Sequence, residues 1–319
     1  MDSFKNLNGF KDLLQMLDGT LSFESLEPLP EDQVGLAVLG YPIAHSLSPV
    51  LHNSALKELS EKNSKFQKWN YGKIELPPIH LEKTLVKLHD FGYRGLNLTI
   101  PHKVDVLPFL FSIDPDAEIM GAVNTLVRHS QGWHGCNTDG YGMEQGLKEK
   151  LNVDIEGAEI LLLGAGGASR AAAARCLKSG CSRLWLGNRS ENRLKEMDQI
   201  LNSNYTNPPI HTFPLTEFPE ELGTVDDLIV INATSLGLKS SDPCPFDLRQ
   251  LPLNAKIYDM IYNPPSTRLL KMAAELGMKH ANGLSMLVHQ AAKALEIWTE
   301  EEISVSAMYQ GLGEKTNFE

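Results

Sequence analysis

The sequence predicts a two-domain α/β architecture in which one domain is a doubly wound parallel sheet, and three observations carry that prediction. At Glu159–Arg170, E-I-L-L-L-G-A-G-G-A-S-R, the apolar residues Ile160–Leu163 run without alternation into a glycine turn and then into the alanine-rich Ala168–Ala174. This is the pattern of a strand covered on both faces, a tight turn and a helix start. Strand-like and helix-like segments alternate on both sides of this turn, as in parallel sheets flanked by helices. The chain has 319 residues, a length that suggests about two domains.

Composition narrows the class. With 42% hydrophobic and 22% charged residues the chain reads as a water-soluble globular protein. A net charge of −11 argues against nucleic acid or an anionic membrane as a partner, and leaves room for a local anion site. Cys136, Cys176, Cys181 and Cys244 form no C-x-x-C pair, and the ten histidines form no H-x-x-x-H or H-E-x-x-H. Buried thiols in a reducing cytosol and no metal site are therefore expected. No membrane span and no secretory leader are read, which makes a cytoplasmic location the expectation.

Taken in order, residues 1–33 form an N-terminal extension. Phe10, Leu13, Leu14 and Leu17 lie at i, i+3, i+4, i+7 and predict one amphipathic helix, followed by a loop with Pro28 and Pro30. Val34–Leu39 reads as the first strand, ending in Gly40-Tyr41-Pro42. Ser48 then reads as a helix N-cap with Pro49 at the first helical position, the helix running through Val50–Leu59. Phe66–Leu76 predicts a strand, Ile79–Phe91 an amphipathic helix and Gly95–Ile100 a strand. Two short strands, Thr125–Arg128 and Gly132–Gly135, precede a helix at Gly140–Lys150.

After the glycine turn, strand 183–187, helix 191–201, strands 228–232 and 256–259 and helix 267–276 follow in Rossmann order. Pro208-Pro209, Pro214 and Pro219 mark connections. A final helix, Ser285–Thr299, comes after this run and is expected to return to the first domain. The expected boundaries are thus 34–138 completed by 284–319 for one domain, and 139–283 for a Rossmann-type domain, with a cleft between the two.

In a Rossmann unit the glycine turn Gly164, Ala165, Gly166, Gly167 and Ala168 would let backbone approach a diphosphate at a helix N-terminus. The third glycine of the usual fingerprint is here Ser169. Where NAD enzymes place an acid at the end of the second strand, this chain has Asn188-Arg189-Ser190, with Arg193 behind. A guanidinium and a hydroxyl suit a 2′-phosphate, so NADP is favoured. Glu191 could reach a ribose hydroxyl or simply compensate a helix dipole, and Arg189 has the alternative reading of a solvated surface arginine.

Other polar clusters fall at element ends. Ser46 and Ser48 put two hydroxyls at a helix N-terminus, where a small carboxylate could dock; a plain cap explains Ser48 equally well but leaves Ser46 unused. Asn97 and Thr99 share one face of a strand, with Lys103 just beyond, and alone Lys103 is readable as a solvated lysine. Asn124 closes a glycine-flanked turn. Asp139 fits either an N-cap or a catalytic carboxylate. Gln290 lies on the apolar face of the last helix, where a buried amide needs partners.

Together the clusters follow one another as G-Y-P-I-A-H-S-L-S-P-x-x-H-N, N-L-T-I-P-H-K, G-A-V-N-T, N-T-D-G, L-G-A-G-G-A-S-R-A, N-R-S, I-N-A-T-S-L-G, D-M-I-Y-N-P and N-G-L-S-M-L-V-H-Q-A. From about residue 34 onward this resembles the shikimate dehydrogenase family, whose own version of the turn carries the serine at Ser169. The resemblance implies NADPH-dependent, reversible reduction of 3-dehydroshikimate to shikimate, on the way to chorismate and aromatic amino acids. By motif position Lys103 and Asp139 would be the catalytic pair, and Ser46, Ser48, Asn97, Thr99, Asn124, Tyr262 and Gln290 would surround the substrate. Gly164–Ala168, Asn188, Arg189, Ser190, Arg193, Met260 and Gly283 would line NADP. The partners implied are small molecules, for a monomer or homodimer. A quinate/shikimate dehydrogenase that uses NAD, or an inactive NADP-binding module on the same fold, is the competing implication.

Overall fold

The computed structural model describes residues 19–313, so the helix expected around Phe10–Leu17 lies outside the described residues. The described residues form two compact units, 19–114 with 123–136 and 291–313, and 115–122 with 137–290. Segments 115–122, 137–138 and 284–290 therefore fall in the second unit, where the sequence reading placed them in the first. Among the described residues no helix is long and apolar enough to cross a membrane.

The first unit contains β1 (Thr20–Ser22), β2 (Val34–Gly40), α1 (Ser48–Lys62), β3 (Trp69–Glu75), α2 (Leu81–Asp90), β4 (Gly95–Leu98), α3 (His102–Asp105) and β5 (Ser112–Ile113). After α4 (Pro115–Met120), which belongs to the second unit, come the first unit's β6 (Thr125–His129) and β7 (Gly132–Cys136). The sheet order is β1-β3-β2-β4-β6-β7-β5. Neighbours are parallel from β1 to β4; β6 runs antiparallel to both β4 and β7, and β5 lies parallel to β7 at the edge. The residues read as loop at 20–22 are an edge strand on β3, made by backbone pairing with little side-chain pattern to announce it.

The second unit continues with α5 (Asp139–Leu151), β8 (Glu159–Leu163), α6 (Gly167–Lys178), β9 (Arg183–Asn188), α7 (Glu191–Asn204), β10 (Ile210–Pro214), β11 (Ile229–Asn232), β12 (Lys256–Asp259), α8 (Arg268–Glu275) and β13 (His280–Asn282). Two further helices, α9 (Leu284–Thr299), divided between the units after Gln290, and α10 (Val305–Gly311), end the described chain. Sheet order β10-β9-β8-β11-β12-β13, all parallel, is the doubly wound 3-2-1-4-5-6 order.

The unalternating run in β8 has a direct cause. Ile160 and Leu162 pack into one core with Ala172, Leu186 and Tyr258, while Leu161 and Leu163 pack into another with Trp185, Val230 and Leu269. A strand with a core on each face has no polar side to alternate with. Sequence reading missed β10 and β13. The segment 210–214, read there as a connection between prolines, is an outer strand on β9, and Pro214 closes it at an edge position where its missing N–H does no harm.

Candidate active site

In the first unit, β2, β3 and β4 lie side by side, and their carboxyl ends present the polar residues. Asn97 on β4 is buried. Its amide donates to the Asn124 carbonyl and to Thr125 Oγ1, both at 3.1 Å, and its Oδ1 accepts from the Tyr71 hydroxyl at 2.7 Å. Tyr71 comes from β3, and its burial raises the phenol above its ordinary range, with a hydrogen bond from Ser48 opposing the shift. Thr125 Oγ1 donates to Asn124 Oδ1 at 2.9 Å. Tyr71, Asn97, Thr125 and Asn124 thus form one connected chain of polar groups, which fixes each side chain's orientation.

The serine cluster differs in detail from its sequence reading. The N-cap of α1 is Leu47, without a side-chain cap, so Ser48 is not the cap and Pro49 stands one position later. Ser46, unused in the cap reading, accepts the Ser48 N–H at 3.3 Å. Buried Lys73 on β3 donates to the Ala44 carbonyl at 2.8 Å and ties down the loop that carries Ser46. Thr99, half-buried, is set by its N–H to the Leu39 carbonyl. Lys103, partly buried on α3, receives Val123 N–H at its carbonyl, and the adjacent His102 is anchored to the Leu76 carbonyl at 2.8 Å.

In the second unit Asp139 opens α5. The N-cap position is Thr138, with no side-chain cap bond, so the reading of Asp139 as an N-cap is set aside. Asp139 is buried, and its N–H donates to Asn137 Oδ1 at 2.9 Å. Thr138 Oγ1 donates to Gln290 Oε1 at 3.5 Å, while Gln290 Nε2 donates to the Leu287 carbonyl. The start of α5 and Gln290 are therefore neighbours. Tyr262 follows β12, and its surroundings raise its phenol by desolvation.

The expected cofactor residues gather at the carboxyl ends of the parallel strands, flanking the point between β8 and β11 where strand order reverses, the usual dinucleotide position. Gly164 ends β8 with φ +115°, and a Cβ there would stand 3.2 Å from the Ala233 carbonyl. The N-cap of α6 is Gly166 with no side-chain cap, so the first-turn N–H groups remain available to an anion. Ser169 is fully buried and donates to the Gly164 carbonyl at 2.6 Å. It clamps the turn from inside, which is why a serine serves in place of the third glycine.

At the end of β9, Asn188 donates to the Ser190 carbonyl at 3.0 Å, and Ser190 is the α7 N-cap residue with its hydroxyl uncommitted to capping. Arg189 and Arg193 are both exposed on this corner. Gly283 follows β13, and a Cβ there would run into the Met260 backbone, so these two cofactor candidates are in close contact. A turn opened by the positive φ of Gly164, open helix N–H groups and two exposed guanidiniums fit NADP.

Sequence reasoning missed Tyr71, Lys73 and His52. His52 on α1 is fully buried and stacks on Tyr71, centroids 3.9 Å apart. Neither ring nitrogen has a hydrogen-bond partner, and burial holds its pKa down at about 3. The H-N pair at 52–53 was visible in the motif; its stacking partner, nineteen residues downstream in sequence, was not.

Known proteins resemble the chain along most of its length. The family model for the shikimate dehydrogenase substrate binding domain matches residues 38–126, and that for the shikimate 5′-dehydrogenase C-terminal domain matches 283–311. A shikimate dehydrogenase (NADP(+)) from Synechocystis is 39% identical over 284 residues, 87% of this chain and 94% of that protein. Its counterpart from Geobacter metallireducens is 37% identical over 268 residues, 84% of this chain and 91% of that protein. The crystal structure of shikimate 5-dehydrogenase from Thermus thermophilus in complex with NADP(H) and shikimate superposes with a TM-score of 0.76 at 32% identity, covering 88% of this chain and 98% of that one. The chain belongs to the shikimate dehydrogenase family.

Proposed function

We propose that the protein catalyses the NADPH-dependent, reversible reduction of 3-dehydroshikimate to shikimate, with Lys103 and Asp139 as the catalytic pair. The observation that carries this reading is the polar chain Tyr71–Asn97–Thr125–Asn124, contributed by β3, β4, the first residue of β6 and the residue before it. Its hydroxyls and amides are suited to a small acid bearing ring hydroxyls. Ser46 and Ser48 hold the substrate carboxylate; Asn97, Thr99, Asn124, Tyr262 and Gln290 surround the ring.

NADPH, held by Gly164–Ala168, Asn188, Arg189, Ser190, Arg193, Met260 and Gly283, supplies the hydride when bound. Lys103 donates the proton that the ketone oxygen requires as its carbon is reduced, since a lysine ammonium is both charged and acidic enough to stabilise a forming alkoxide. Asp139 shares the proton in the oxidising direction. The same reading places the protein in the cytoplasm as a monomer or homodimer.

Replacement of Lys103 by alanine tests the assignment. We expect kcat to fall by about two orders of magnitude or more with KM for shikimate little changed, the pattern of a contact made in the transition state. Near-normal turnover would remove Lys103 from the mechanism.

A further inference from the structure

At the far edge of the first sheet, β5 and β7 place four chemically active side chains together. Ser112 pairs with His134 and Ile113 with Gly135, and Asp114 N–H then donates to the Gly135 carbonyl at 2.8 Å. Positions 112 and 114 on one strand, and 134 and 136 on the other, share a face because side chains alternate. Ser112, Asp114, His134 and Cys136 therefore point the same way from neighbouring strands.

We propose that Asp114, His134 and Cys136 bind one divalent transition-metal ion, with Zn2+ the best match. A carboxylate oxygen, an imidazole nitrogen and the thiol sulfur all lie within 4.8 Å of one another, and His134 Nε2 stands 3.1 Å from Asp114 Oδ1. Ligand atoms about 2.0–2.3 Å from one tetrahedral ion are about 3.3–3.8 Å apart, so the three need only small rotamer adjustments to converge. One oxygen, one imidazole and one thiolate form a donor set that favours zinc over calcium or magnesium.

Ser112 completes the arrangement. Its Oγ lies 2.8 Å from His134 Nδ1. When that nitrogen carries the proton and donates to Ser112, Nε2 presents its lone pair to the ion, the outer partner that metal-bound histidines usually have. Without the ion, Nε2–H donates to Asp114 instead, so binding exchanges one tautomer for the other.

Access is consistent with a loadable site. The His134 and Asp114 side chains are 31% and 49% exposed, so an ion can enter from solvent, and three protein ligands leave a fourth position for water. The ligands escaped the sequence motifs because H-x-C on a strand pairs with an aspartate twenty residues upstream of His134.

Titration of the full-length, chelator-stripped protein with Co2+ tests the site. We expect one equivalent to bind with a thiolate-to-cobalt charge-transfer band in the near ultraviolet, displaced by Zn2+. Cys136→Ser abolishes the band, Asp114→Asn and His134→Ala weaken binding by about tenfold or more, and Ser112→Ala weakens it by up to about tenfold. Absence of a thiolate band, or binding unchanged in these variants, overturns the proposal. Should Cys136→Ser fail to fold by circular dichroism, Asp114→Asn and His134→Ala decide the question in the same way.

Discussion

The two units present their functional residues by different means. In the second, the expected cofactor residues are placed by backbone: a glycine with positive φ, an uncapped helix start, a glycine against the Met260 main chain. In the first, the expected substrate residues are placed by side chains that hold one another, with Tyr71 donating to Asn97 and Asn97 to Thr125. At Gly283 the backbone leaves no room for a Cβ; side-chain placement depends instead on hydrogen bonds that must not be lost. Damage should therefore look different in the two halves.

The largest effect among residues outside the proposed catalytic pair is expected at Gly283. Alanine there overlaps the Met260 backbone, where no flexible side chain can give way, and overpacking of this kind costs about 1–3 kcal/mol. Melting should fall by several degrees and KM for NADPH should rise, while a variant that melts normally breaks the backbone half of the comparison. Next in size, Arg189→Ala should raise KM for NADPH about tenfold or more, as loss of a charge-assisted bond does, and leave KM for NADH nearly unchanged. Equal effects on both cofactors would take the 2′-phosphate away from Arg189.

Tyr71→Phe sharpens the other half. It removes the hydroxyl that donates to Asn97 Oδ1, and loss of about 1 kcal/mol predicts a rise of about fivefold in KM for shikimate with KM for NADPH unchanged. A shift in the cofactor KM instead would show that the chain of hydrogen bonds does not serve the substrate side.

The last effect is one of pH and vanishes near neutrality. Burial lowers the His52 pKa from 6.5 to about 3, so the folded protein refuses a proton that the unfolded chain accepts. Its stabilising contribution is complete above about pH 6.5 and is lost at up to about 1.4 kcal/mol per pH unit as pH falls toward 3. Replacing His52 with Phe keeps a ring on Tyr71 and should flatten that slope by one proton in urea melts between pH 6.5 and 4. An unchanged slope would mean that His52 takes up its proton in the folded state.

These contrasts also explain what could be read in advance. The second sheet was legible because β8, β9, β11 and β12 are buried on both faces and carry unbroken apolar runs. The outer strands were not: β10 exposes His211 and Thr212, and β13 has only three residues, none fully buried. Ser46, Asn97 and Arg189 stood out as polar residues at element ends. Tyr71 and Lys73 did not, because each lies within a strand, and its importance arises only when parallel register lines up β3 and β4 on either side of β2. The Ser48 reading failed locally, since Leu47 takes the cap position.

Trp298 carries a consequence for how the first unit closes. Its indole is buried in that unit and donates to the Leu126 carbonyl at 2.9 Å, across a sequence separation of 172 that spans the second unit's residues 137–290. The first sheet is therefore covered by a segment that the chain must bring back across a very long loop, whose closure entropy has to be met before the contact returns anything. The second unit needs no return past so long a segment of the other, so the first is the slower of the two to close.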